Sequence, residues 1–206
     1  MLGEYMDSML SASDPVLLGI EDDARDRGVP IVCRWTAALI QVLVRVARPD
    51  LIVELGTATG YSGIWLLRGW PAAHLITYEV DDDRAAQASR NFAEAGLAER
   101  ADVRVGNAVE GLERLDAGSA GVIFNDLLNG LRDLERVERC YRAALKALMP
   151  GGLLLADNAL AGGDVLRQET REGRCAHRWN ALVREDPSLF GLILPTEDGL
   201  SVAVRA

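Results

Sequence analysis

Short, continuous apolar runs alternate along this chain with longer stretches whose apolar residues recur every three or four positions. The first pattern predicts buried strands and the second predicts amphipathic helices. Leu51 to Leu55 is the clearest short run. Leu75 to Tyr78, Asp102 to Val105, Gly121 to Phe124 and Leu153 to Ala156 follow it. Helical spacing predicts Pro15 to Arg27, stopped by Gly28, with Ser13 and Asp14 as cap candidates. It also predicts Trp35 to Ala47, a helix after the first strand through about Arg68, Arg84 to Ala95 closed by Gly96, Leu131 to Leu148 stopped by Pro150-Gly151-Gly152, and Asp164 to Glu185. Phe190 to Leu194 and Leu200 to Val204 flank PTEDG and read as a hairpin.

Strands alternating with helices predict a doubly wound, Rossmann-like α/β fold. Its sheet is mostly parallel and seven-stranded, its C-terminal hairpin is antiparallel, and helices cover both faces. One domain spans residues 1–206: an arm over 1–14, N-terminal helices over 15–48 and the core over 49–206. The arm carries Met6, Met9 and Leu10, which could pack on the body or on a second subunit.

The polar residues gather where the strands end. Leu51-Ile-Val-Glu54-Leu55 runs into Gly56, Gly60 and Gly63, and an apolar helix begins at Ile64. Strand, glycine turn and helix make half of a βαβ unit, whose helix start aims free N–H groups at a ligand. The pattern is E-x-G-x-x-x-G, with Ala58 where a dinucleotide turn needs glycine. Glu79 ends the second strand, where a carboxylate can take both hydroxyls of a ribose. Asn107 follows the third strand, Asn125-Asp126 the fourth and Asp157-Asn158 the fifth. In such sheets ligands bind at this edge.

Composition narrows the partners. A net charge of −9 argues against nucleic acid and anionic membrane. No apolar run approaches the roughly 20 residues of a membrane span, and MLGEYMDSML lacks the features of a signal peptide. Cys33, Cys140 and Cys175 are far apart and read as reduced thiols of a cytoplasmic protein. Lys146 is the one lysine, and arginine supplies the other basic side chains.

On VELGTATGYSG, YEVD, NFAEAGL, GNA, MPGG with LLLADNAL, and LPTEDGLSVAVR, residues 15–206 resemble the cation-dependent O-methyltransferases typified by catechol and caffeoyl-CoA O-methyltransferases. The resemblance implies S-adenosylmethionine (SAM) as cofactor. Glu54, Gly56, Thr57, Tyr61 and Ser62 would line its methionine part, Glu79 with Val80 would hold the ribose, and Asn107 and Ala108 would face the adenine. Asp126, Asp157 and Asn158 occupy the family's metal positions, with Asp126 also beside the cofactor and in the catalytic centre. Two carboxylates and an amide suit Mg²⁺. Asp157-Asn158 after a strand can also be a turn and helix cap, but Asp126 independently ends the neighbouring strand.

One departure stands out. Relatives carry a lysine three residues after the first metal aspartate, and this chain has Asn129 there, in a stretch to Asp157 that is longer than usual. Either the metal alone activates the hydroxyl, or Asp133 acts as base, or the chain binds cofactor without turning over. The leading expectation is an O-methyltransferase acting on a small hydroxylated, aromatic or catechol-like substrate, as a homodimer. A non-catalytic SAM-binding protein and a nicotinamide oxidoreductase are the alternatives. His177, in a long helix, reads as a surface or packing residue, His74 as a loop residue, Trp65 as packing against the sheet, and Trp179 as core or pocket wall.

Overall fold

The computed structural model describes Tyr5, residues 8–10 and residues 14–206. Most of the predicted N-terminal arm, including Met6 and the cap candidate Ser13, lies outside the described residues. Two helices open the fold, α1 (Pro15–Arg27) and α2 (Arg34–Ala47). Asp14 caps α1, accepting from the N–H groups of Val16 and Leu17, and Gly28 at φ +63° ends it. The core then runs β1 (Leu51–Leu55), α3 (Tyr61–Gly69), β2 (His74–Glu79), α4 (Asp82–Glu94), β3 (Ala101–Val105), α5 (Ala108–Glu113), β4 (Ala120–Asn125), α6 (Leu134–Ala147), β5 (Leu148–Ala156), α7 (Arg171–Glu185), β6 (Leu189–Leu194) and β7 (Leu200–Arg205).

The strands form one seven-stranded sheet of order β3-β2-β1-β4-β5-β7-β6. β1 to β5 pair in parallel, and β7 pairs antiparallel with both β5 and β6. Buried side chains of α1 to α4 cover one face with Ile52, Val122 and Leu155. Those of α5 to α7 cover the other with Val53, Ile123 and Leu154. The order of strands reverses between β1 and β4, so the carboxyl ends of these two strands open onto a crevice.

Four local expectations are corrected. The helix expected from Leu131 starts at Leu134, because Asp133 caps it and residues 127–131 form a separate turn, with the N–H groups of Gly130 and Leu131 both on the Leu127 carbonyl. The helix expected from Asp164 starts at Arg171. The Asp164 carboxylate instead accepts from the N–H and Oγ1 of Thr170, at 2.8 and 2.6 Å, and closes a loop. The turn expected at Asn107-Ala108 is the start of α5, capped by the Asn107 side chain. His74 begins β2 rather than preceding it.

Trp65 is buried and packs edge-on to Tyr61. Trp179 is fully buried, edge-on to Tyr141 with ring centroids 5.8 Å apart, so it is core and not pocket wall. His177 is exposed, with Nδ1 3.2 Å from the Val165 carbonyl. Trp179→Ala is expected to destabilise the fold by about 3–5 kcal/mol. Urea denaturation checks this, and a loss under 1 kcal/mol would contradict the packing.

Candidate active site

A cleft of about 450 Å³ lies at the carboxyl ends of β1, β2 and β3. Gly56, Glu79, Val80, Asn107 and Ala108, all expected at a cofactor site, line it together. The opposite wall comes from the segment after β4, with Leu127, Gly130, Leu131, Arg132, Arg136 and Arg139.

Gly56 sits at φ +98°, and a Cβ there would stand 3.0 Å from the Asp126 carbonyl oxygen and 3.2 Å from Leu127 Cδ2. Glycine is therefore required for the β1 turn to pass under the β4 turn. Glu79 is buried, and its carboxylate accepts from three backbone N–H groups: Ala58 at 2.8 Å, Val80 at 2.9 Å and Asp81 at 3.1 Å. These bonds fix the rotamer and leave acceptor capacity on Oε2 toward the cleft. No side chain caps the start of α3, which leaves its first-turn N–H groups without a side-chain acceptor.

Several residues expected at the cofactor are buried around the glycine turn and bonded internally. Glu54 is fully buried on the α3 side of the sheet, where Ser62 Oγ and Thr77 Oγ1 each donate to it at 2.6 Å. Thr57 Oγ1 lies 2.6 Å from Thr77 Oγ1, which extends the chain of hydroxyls. Ser62 and Thr57 are buried with it. Tyr61 is buried too, and its hydroxyl donates to Glu21 Oε1 at 2.6 Å, which ties α3 to α1. Alternation decides this outcome: in β1 the side chain of Glu54 must point to one face of the sheet, not along the strand. Burial pushes the Glu54 carboxyl up to about 7, against the pull of the two hydroxyls and with a small push from Glu79.

The ends of β4 and β5 are adjacent, because Asn125 pairs with Ala156 in parallel register. Asp126 and Asp157 follow those two residues. Burial pushes the Asp126 carboxyl well above the usual carboxylate range, and the charges of Asp157 and Glu54 add to the push. Burial also pushes Asp157 up to about 6, helped by Glu197 and Asp198. No side-chain donor reaches the Asp126 carboxylate among the described residues. Asn158 adopts φ +59° beside Asp157. Among the described residues no group of three His, Cys, Asp or Glu side chains is arranged to hold a metal.

The two residues weighed as the proton acceptor are also placed. Asn129 is exposed at the tip of the turn after β4. Asp133 is exposed, and its Oδ1 accepts from the Arg136 N–H at 2.8 Å, which makes it a helix cap. Lys146 donates to the carbonyls of Glu113 and Leu115 at the far end of α6. The residues that sequence reasoning missed are the three arginines of the cleft wall. Their spacing, 132, 136 and 139, is that of one helix face, but the same region reads equally well as a solvated surface.

This sheet, with a glycine turn after β1, an acidic end to β2 and a crevice between β1 and β4, is that of a class I, SAM-dependent methyltransferase. A profile of the O-methyltransferase family matches residues 29–206, and the chain belongs to that family. A relative, the catechol O-methyltransferase of Niastella koreensis, is 31% identical over 213 residues, covering 97% of this chain and 94% of its own. The O-methyltransferase of Bacillus cereus in complex with SAH is a structural neighbour with TM-score 0.86 at 26% identity, covering 98% of this chain and 96% of its own. So is the O-methyltransferase TomG of Streptomyces achromogenes, involved in tomaymycin synthesis and solved with SAM, with TM-score 0.86, 26% identity and coverage of 98% and 94%.

The buried Glu54 carboxyl makes stability depend on pH. Its folded value, about 7, exceeds its ordinary value of 4.5, so the folded state holds the proton more tightly. Stability is then highest below about pH 4.5 for this group and falls as pH rises through about 7. Glu54→Gln should reduce that fall by about 3 kcal/mol, at ~1.4 kcal/mol per pH unit. Urea denaturation in chelator from pH 5 to 8 measures it, and parallel curves for the two proteins would refute it.

Proposed function

We propose that this O-methyltransferase transfers a methyl group from SAM to a hydroxyl of a small aromatic, catechol-like substrate with the help of a divalent cation. The observation that carries the reading is the pair Asp126 and Asp157 at adjacent strand ends, each pushed up by burial and charge. Asp126 and Asp157 follow the paired residues Asn125 and Ala156, and with the Asn158 amide they would offer a hard oxygen set that suits Mg²⁺. Bound SAM supplies the electrophilic methyl, and the cation supplies positive charge that lowers the pKa of the attacking hydroxyl.

The chain's own residues do the positioning. Gly56 lets the cofactor lie against bare backbone, Glu79 Oε2 accepts from the ribose, and Asn107 with Ala108 bounds the adenine. Asp126 follows β4 beside the Gly56 turn, where its carboxylate would hold the cation next to the cofactor and so align the reactants. With Asn129 at the tip of an exposed turn and Asp133 capping α6, no protein base is required of this site: the reading places the acidity of the hydroxyl on the cation and on the substrate. Asn129 also keeps open a reading in which the cofactor binds and no transfer follows.

The reading extends to a homodimer working in the cytoplasm. Exposed Val42, Val46, Phe190 and Leu192 give apolar surface for a second copy, and three free cysteines suit a reducing compartment. No helix among the described residues is long and apolar enough to cross a membrane, and the acidity of the chain speaks against a nucleic-acid partner.

Calorimetric titration with SAM, repeated with Mg²⁺ and a catechol, tests the proposal. Metal-dependent heat for the diol and methylated product are expected. Asp126→Ala should cost about 100-fold or more in turnover, since even outer-shell partners of a metal cost 10–100-fold. Cofactor binding without a metal or diol response would favour the binding-only reading.

A further inference from the structure

A cavity of about 310 Å³ lies between α7 and the β6–β7 hairpin, and it shares no lining residue with the cofactor cleft. Gly191 pairs with Ala203 and Ile193 with Ser201, and Ala203 belongs to the core layer that α7 covers. Alternation along the two strands therefore puts Gly191, Ile193 and Ser201 on the α7 face. Helix and sheet are in close contact beside the cavity, since a Cβ on Gly191 would stand 3.0 Å from Val183 Cγ1. The cavity is thus a local feature and not a general gap between the layers.

Two of its polar groups have no partner in the protein. Asn180 lines the cavity, and its Nδ2 donates to the Ala159 carbonyl at 2.8 Å, which fixes the way the amide faces. Its Oδ1 is buried with no hydrogen-bond partner among the described residues. Ser201 also lines the cavity, is 3% exposed, and its hydroxyl has no partner among the described residues either. A buried acceptor left unpaired is destabilising, so this position favours an occupant that brings a donor. Charge is already matched at the mouth: the Arg184 side chain is 76% exposed and pairs with Glu185 at 3.0 Å. His177 is exposed, with Nδ1 3.2 Å from the Val165 carbonyl. The remaining walls include Val183, Leu192 and Ile193 and are apolar.

We propose that this cavity is a second ligand site, for a small neutral molecule with an apolar body and one hydroxyl, and that Asn180 and Ser201 are its polar partners. The ligand's O–H donates to Asn180 Oδ1, and the Ser201 hydroxyl can donate to the ligand oxygen. The apolar walls take the body, in the usual pattern of a pocket with few, placed polar groups. Water alone could satisfy the two polar groups but would leave the apolar walls wet. The site borders the Asp157-Asn158 turn on both sides in sequence: Ala156 pairs with Ser201, and the Ala159 carbonyl holds Asn180. The proposal stands on the cavity itself and does not depend on the transferase reading.

Two probes of equal size test it: 4-ethylphenol, and 4-ethyltoluene with a methyl in place of the hydroxyl. Each is titrated onto the full chain in the presence of excess SAH. Calorimetry should find the phenol bound about tenfold more tightly than the hydrocarbon. Amide NMR shifts during the titration should centre on Ala159, Asn180 and Ser201, which locates the phenol in the unaltered protein. In Asn180→Leu the ratio of the two affinities should fall toward 1, and damage common to both probes cancels in that ratio. Ser201→Ala leaves the bond to Ala159 in place and should lower the ratio as well, so the test survives if the first variant does not fold. Binding of neither probe would mean that the cavity holds only water, and would overturn the proposal. Equal affinities, a ratio unchanged in the variants, or shifts centred on Gly56 and Asn107, which would put the phenol in the cofactor cleft, would overturn it too.

Discussion

The Glu54 carboxylate, sealed under α3, is the contact on which the site depends. It sits in the middle of the sheet with Ser62 above it and Thr77 beside it, each donating at 2.6 Å. One side chain thereby joins β1, β2 and the first turn of α3, the three elements that shape the glycine turn. A carboxyl without partners at this depth would be strongly destabilising. With both oxygens bonded it rigidifies the turn, and the close approach of Gly56 to the Asp126 carbonyl then sets the gap between the first and fourth strands.

That scaffold concentrates acid where the strands end. Glu54, Asp126 and Asp157 are all pushed upward by burial, with a smaller push from nearby carboxylates: Glu79 on Glu54, Asp157 and Glu54 on Asp126, and Glu197 and Asp198 on Asp157. The fold tolerates this because such positions are where ligands complete the structure: displaced proton affinities gather at functional sites. On the other side of the cleft the sign reverses, with guanidinium groups on the wall after β4.

Asn129, where the resemblance leads one to expect a lysine, lies in a packed turn. Leu128 and Leu131 are buried in it, Cys175 Sγ donates to the Leu131 carbonyl at 3.3 Å, and Arg171 reaches the Asn129 carbonyl. The turn is thus held from α7 and carries Asn129 outward. Local packing, more than the loss of one basic group, defines this departure.

Much of the architecture was legible in the residues. The apolar runs gave the strands, and the alternation gave a mostly parallel sheet with an antiparallel end. The polar residue closing each strand marked the edge where the cleft lies, and Gly56, Glu79, Asn107 and Ala108 meet there. What the sequence could not show was direction. Glu54 and Ser62 are conspicuous in the motif, and in the structure they bond to each other in the buried layer on the α3 side of the sheet. Asp133 read as a candidate base and Asp164 as the start of a helix, and the structure uses their oxygens to cap and close backbone. Arg132, Arg136 and Arg139 read as a solvated stripe, and only the folded chain shows them on the wall of the cleft. Sequence by itself determines which residues are apolar, polar or turn-forming along one dimension. Tertiary structure decided which polar groups find internal partners and which are left facing the cleft, since that depends on neighbours far apart in the chain.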